Sequence, residues 1–184
     1  MVDTQYTTQS STQNSGLVTA LFPDRDSAER AYQSVTERGY TNNDVNLVMS
    51  DDTRKRHFTG SGATQTELGS KAAEGASMGG AIGGTLGAIA AAIAAVGTSI
   101  AIPGLGIVIA GPLAAALAGA GAGGLTGGLV GALVGAGIPE ERVKHYEAGI
   151  KEGGILMGVK PRSREDADYL AQSWKQHKGE HIYS

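Results

Sequence analysis

The stretch "GAGAGGLTGGLVGALVGAG", residues 119–137, decides how this chain is read. Nearly half of it is glycine, which costs a helix interior about 1 kcal/mol per residue relative to alanine. Yet it carries no charge, and it lies inside a longer uncharged run. From Gly75 to Pro139 there is no Asp, Glu, Lys, Arg or His, so every charged residue falls in the flanks. The glycines are also ordered. Gly75, Gly79, Gly83 and Gly87 step by four, and Ala91 and Ala95 continue the row. Gly111, Ala115, Gly119, Gly123, Gly127, Gly131 and Gly135 form a second row of the same step. A step of four keeps side chains in one slowly drifting row on a helix. Leu125, Leu129 and Leu133 form another row on roughly the opposite face. A flexible spacer would carry serine in place of Leu, Ile and Val.

Small residues at this spacing let helix backbones touch along their length, which offsets the cost of glycine through dispersion and Cα–H···O contacts. The run therefore predicts a glycine-zipper helical hairpin over 72–138, with arms 72–98 and 112–137. Each arm would be about 35–40 Å long, against a hydrocarbon core of about 30 Å. Pro103, Pro112, Gly104, Gly106 and Gly111 place a helix-breaking tip at 98–112. Helices apolar all round are buried on every side, here by a bilayer or by other copies of the chain. The almost wholly apolar tip suits a hairpin ending within lipid, provided its backbone groups find protein partners. It suits an oligomer core equally. Lys71, Arg142 and Lys144 border the apolar segment and favour the cytoplasmic side of a membrane. The run "RKRH" (54–57) reads as a solvated loop after Asp51 and Asp52, with contact to anionic headgroups the alternative.

The flanks read differently. "GLVTALFP" (16–23) is a strand closed by Pro23. Asp24 or Asp26 then caps a helix whose Ala28, Ala31, Tyr32 and Val35 recur at helical spacing, with Gly39 past its end. "DVNLVMS" (44–50) is a second strand. After the insert, Pro139 opens a helix with Glu140 and Glu141 at its positive end, and Val143, Tyr146 and Ile150 form its apolar stripe. "ILMGVKP" (155–161) is again a strand closed by proline. Ser163 caps a last helix with Ala167, Leu170, Ala171 and Trp174 facing a core, and "HIYS" adds a short final strand. Two such β-α-β halves, 16–58 and 139–184, predict an α+β, ferredoxin-like sandwich with helices on one face of a small sheet. A linker, 59–71, leads into the hairpin. The tail 1–15 is polar and low in complexity, predicting disorder and no secretory signal.

Function classes narrow from the same 184 residues. A net charge of −3 gives no basic face for nucleic acid. With no cysteine there is no disulfide, thiolate metal site or cysteine nucleophile. "GAGAGG" (119–124) has the letters of a dinucleotide fingerprint, but that turn belongs between a strand and a helix with an acid about twenty residues on. Position 144 is lysine. "HKGEH" (177–181) has the letters of a zinc-peptidase motif, yet Gly179 interrupts the helix that two histidines four apart require. His57 and His145 stand alone as surface residues. No nucleophile, base and orienting group come together, so no catalytic, cofactor or metal residue is assigned and an enzyme is the least favoured class.

"ALFPDRDSAERAYQSVTERGY" followed by "DVNLVMSD" resembles the opening of bacterial heat-induced general stress proteins. "IPGLGIVIAGPLAAALAGAGAGGLTGGLVGALVGAGIPEERVKHYEAGIKEGGILMGV" resembles the glycine-zipper members of that group, which also run through "GIPE" into a helix, "GG" and a strand. The likeness covers most of residues 17–175, and its central and C-terminal part is the more specific. It implies a non-enzymatic, stress-associated protein and supplies no catalytic residue. The expected function is membrane association or self-association through the two glycine rows, with the α/β part on the cytoplasmic side and membrane lipid and further copies as partners. A lipid-free cytoplasmic homo-oligomer and a small-ligand sensor are the rival readings; the sensor rests on fold analogy alone.

Overall fold

The computed structural model describes residues 16–58, 89, 99–102, 106–120, 128–135 and 138–184. The tail 1–15, the linker 59–71 and, apart from Ile89, the first arm 72–98 lie outside the described residues.

Three strands form the middle of the structure: β1 (Val18–Phe22), β2 (Val45–Ser50) and β5 (Ile155–Val159). They join β3 (Ser99–Ile102), β4 (Ile107–Ala110) and β6 (Glu180–Tyr183) in one six-stranded sheet of order β3-β4-β2-β5-β1-β6. Every neighbouring pair is antiparallel. The register sets Ala20 opposite Met157 and Leu47 opposite the same residue from the other side.

Alternation along the strands sends side chains to two cores. Val18, Ala20, Phe22, Leu47, Met49 and Met157 face one side and pack against α1 (Arg25–Glu37) and α6 (Arg164–Gln176). Both helices start as expected, with the Asp24 carboxylate accepting from the Ser27 N–H at 2.7 Å and the Ser163 hydroxyl accepting from the Asp166 N–H at 3.1 Å. Trp174 is fully buried, edge-on to Phe22 at 5.8 Å between ring centroids.

Leu21, Val48 and Leu156 face the other side, and here the expectation of helices on one face needs correction. This face is covered by α3 (Pro112–Ala120), α4 (Gly128–Gly135) and α5 (Glu140–Lys151), through Leu113, Leu117, Leu129, Leu133, Tyr146 and Ile150. Strands that are apolar at both parities, such as "VTALF" and "ILMGV", are buried on both faces.

The tip at 98–112 is also corrected. It is a β-hairpin, not a turn between helices. β4 pairs with β3 on one side and β2 on the other, with Ile109 opposite Val48. The Asp51 N–H reaches the Gly106 carbonyl at 2.6 Å. Density of β-branched side chains in "SIAI" and "IVIA" favours strand over helix. The tip needs no polar side chains because Ile107–Ala110 is buried in the chain's own sheet. Finally, "RKRH" lies in a two-turn helix, α2 (Asp51–Phe58), where the expectation was a loop.

Candidate functional site

Of the two glycine rows, Gly75, Gly79, Gly83, Gly87, Gly123 and Gly127 lie outside the described residues. The others divide between two environments. Gly111 is not in a helical row. It is the junction of β4 and α3, at φ 100°, where an added Cβ would stand 2.1 Å from the Val45 carbonyl oxygen. It does permit close approach, but of a turn to the strand β2. Asn46 completes this junction, accepting from the Leu113 N–H at 2.7 Å and donating to the Gly158 carbonyl at 3.2 Å.

Gly119 lies in α3, and Gly131 and Gly135 lie in α4. Leu129 and Leu133 of α4 point into the core, whereas Gly131 is half-buried and Gly135 exposed. A Cβ on Gly135 would meet nothing within 4 Å. Pro112, Ala115 and Ala116 of α3 are exposed too, and Val134 of α4 is 42% exposed. Neither helix has a charged residue. The result is a small, smooth, apolar outer surface on helices whose inner surfaces are already used. α3 has nine residues and α4 eight, lengths of about 12–14 Å. Among the described residues no helix is long and apolar enough to cross a membrane.

The uncharged run is anchored to the opposite core at Ile89. That residue is fully buried, and its N–H donates to the Glu29 carboxylate at 3.1 Å. Glu29 is itself buried on α1, with Arg25 3.5 Å away.

Polar chemistry is sparse. An open groove of about 720 Å³ runs between α1 and α6, with Asp26, Arg30, Gln33, Glu37, Tyr169 and Gln172 on its walls. Ser34, Ser173 and His177 line it as well, but Ser34 donates to the Ala31 carbonyl and, among the described residues, no hydrogen bond joins a hydroxyl to the imidazole. The Tyr40 hydroxyl donates to Asp166 at 2.7 Å and accepts from the Arg162 N–H at 2.9 Å, which ties the end of α1 to the start of α6. Burial, then the Asp166 bond, raises its pKa. Burial pushes Tyr32 and Tyr146 each up to about 12. Asp51 is held below the usual carboxylate range by hydrogen bonds from Lys55 and Arg54. At Asp24, burial works upward but is outweighed by the hydrogen bonds from Ser27, so its pKa falls. Tyr32 is buried beside Glu29, Tyr40 is bonded to Asp166, and Asp51 is held by Lys55 and Arg54, so these groups act as structural clamps.

The histidines are arranged differently from what spacing suggests. α6 ends at Gln176, and Lys178 turns left-handed at φ 60°, so His177 and His181 do not share a helix. His181 sits instead on β6 and stacks on His145 of α5, with centroids 4.8 Å apart and planes 14° from parallel. The two are 36 positions apart in the chain, and no local pattern announces the pair. Beside them the Arg142 guanidinium lies 4.1 Å over the Tyr183 ring. Below, the buried Tyr146 hydroxyl meets Thr19 at 2.7 Å and donates to the His181 carbonyl at 2.9 Å.

The chain matches no known family profile, and no characterised protein or solved structure is significantly similar to it.

Proposed function

We propose that this is a non-enzymatic, stress-associated protein of the glycine-zipper kind that the sequence resembles, acting by association with copies of itself and with the membrane surface. One observation carries the reading: the outer surface of α3 and α4 is exposed and uncharged, although the inner surface already supplies the fold. Solvent-facing helix surfaces normally carry charge, and an uncharged one is a surface kept for a partner. The strand order β2-β5-β1-β6, with α1 and α6 on one side, supports a ferredoxin-like core to which β3, β4, α3 and α4 are added. In this reading Gly131 and Gly135 present backbone for close contact. The α/β body stands on the cytoplasmic side.

The test uses the full chain. Light scattering without detergent and co-sedimentation with anionic vesicles are measured for the wild type and for Ala116→Glu/Val134→Asp. Both positions are exposed, so thermal stability should hold while assembly and vesicle binding are lost. A wild type that is monomeric and stays in the supernatant would overturn the proposal. So would a double variant that assembles and sediments unchanged.

A further inference from the structure

We infer that the outer edge of β3 (Ser99–Ile102) pairs antiparallel with β3 of a second copy of this chain, joining two sheets into one. The inference rests on the proposed self-association and names the strand that carries it. β3 stands at one end of the sheet, and among the described residues it pairs with β4 alone. In an antiparallel ladder, alternate residues turn both N–H and C=O away from the neighbouring strand. Two of the four residues of β3 therefore offer backbone groups outward.

The opposite edge of the same sheet is built to refuse a partner. β6 carries Glu180, its pairing with β1 shifts register between Thr19 and Leu21, and His181 turns left-handed at φ 48°. Charge and a broken register are usual means of blunting an edge. β3 has neither. Its sequence "SIAI" is uncharged and holds no proline or glycine. It stays in register with β4 throughout, from Ser99 opposite Ala110 to Ile102 opposite Ile107. A regular, uncharged edge is a template for another strand.

A second β3 is the strand that fits. Every neighbouring pair in the sheet is antiparallel, and a two-fold axis perpendicular to the sheet matches β3 with itself in that sense. No like charges meet across such a pair, because none is present from Gly75 to Pro139. Four paired residues alone bury too little, since a stable interface takes about 800 Å² from each partner. The same axis supplies more. It keeps the α3 helices of both copies on one face of the joined sheet, and α3 packs on β3 and β4, so the two come to lie side by side. Ala115 and Ala116 of α3 are exposed, small and uncharged, which permits close approach.

The test uses the full chain without lipid or detergent and the exposed edge residue Ala101. Ala101→Lys gives β3 the charge that blunted edges carry. Analytical ultracentrifugation over a concentration series should show a wild-type dimer whose dissociation constant rises about tenfold or more in this variant, as two like charges meet. The melting temperature, read by circular dichroism, should stay near that of the wild type. Because the chain has no cysteine, Ala101→Cys carries a single thiol, and a short bismaleimide should link two copies through it. Opposed or diagonal positions across an antiparallel pair lie about 5–8 Å apart. Asp168→Cys, exposed on α6, should not link. A monomeric wild type overturns the pairing together with the self-association beneath it. A wild type that assembles while Ala101→Lys assembles as tightly overturns the pairing alone, and so does Ala101→Cys linking no better than Asp168→Cys.

Discussion

Gly111 and Gly135 belong to the same four-residue row in the sequence, yet the structure predicts opposite outcomes for the same substitution. In Gly111→Ala the new Cβ would lie 2.1 Å from the Val45 carbonyl oxygen and 3.1 Å from the Asn46 Cα, both backbone atoms of β2 that cannot rotate away. The residue also sits at φ 100°, where a side chain costs about 1–2 kcal/mol. Relief requires moving α3 off β2, which stretches the 2.7 Å bond from Leu113 to Asn46 and forfeits about 1–1.5 kcal/mol more. The total is about 3 kcal/mol, or about 6–12 °C in Tm for a chain of this size. Gly135→Ala meets open space on the outside of α4. At the last residue of α4 it should gain at most about 1 kcal/mol from helix propensity and raise Tm by at most about 2–4 °C. Thermal denaturation by circular dichroism measures both, and light scattering records assembly in the same samples. If Gly111 served a helix–helix seam, its alanine variant would change assembly and leave Tm alone. A Gly111→Ala protein melting within a degree of the wild type would refute the β4–α3 junction described above.

Asn46→Leu keeps the volume but strands the buried Leu113 N–H and removes the side-chain bond to the Gly158 carbonyl; the expected loss is about 1–3 kcal/mol, read as a lower midpoint in urea. Tyr146→Phe removes the bonds to Thr19 and His181 and should destabilise at neutral pH by about 1–3 kcal/mol. It also changes the alkaline limb. With Tyr146 raised to about 12 from an unfolded value of 10.0, its contribution is complete below pH 10 and is lost as pH rises through 12. Tyr32 acts in the same window, so Tyr146→Phe should flatten the alkaline slope in part, and Tyr32→Phe/Tyr146→Phe further, in denaturation midpoints taken from pH 9 to 12. Asp51 has the opposite sign: its lowered pKa gives stability above the ordinary carboxylate range that is lost as pH falls through the folded value. In Asp51→Asn the acid limb of the same measurement should be shallower.

The flanks were legible because their signals are local. Asp24 and Ser163 cap helices through atoms three residues away, and the stripes through Val35 and Trp174 repeat within two turns. The middle was harder for a physical reason. Where no polar residue interrupts, apolar periodicity does not mark a buried strand, so "SIAI" and "IVIA" read as the helix-breaking tip of a helical hairpin. The signal present was composition: Ile100, Ile102, Ile107, Val108 and Ile109 are β-branched, whereas glycine, alanine and leucine dominate after Pro112. Two-sided burial could have been read from β1 and β5, which lack the polar alternation of a sheet with one wet face. The stacking of His145 on His181 had no such signal. It depends on β6 lying beside β1, and on α5 crossing the same face.

Self-burial accounts for only part of the missing charge. The sheet explains why Ile107, Ile109, Leu113, Leu117, Leu129 and Leu133 are apolar, since all six are buried in it or against it. It does not explain Ala115, Ala116, Val134 and Gly135, which face outward. At those positions the fold would accept lysine or glutamate, and both form helix better than valine or glycine do. On α5 the outward positions Glu140, Glu141, Lys144, His145 and Lys151 are polar, with Ala148 the one small apolar exception. Helices α4 and α5 are neighbours in sequence and linked by the Ile138 N–H to the Leu133 carbonyl at 3.0 Å. They cover the same face of the same sheet, but only one has an outer surface made for water. Among the described residues folding makes the same demand on both, and the uncharged outer positions of α3 and α4 are what the proposed association would use.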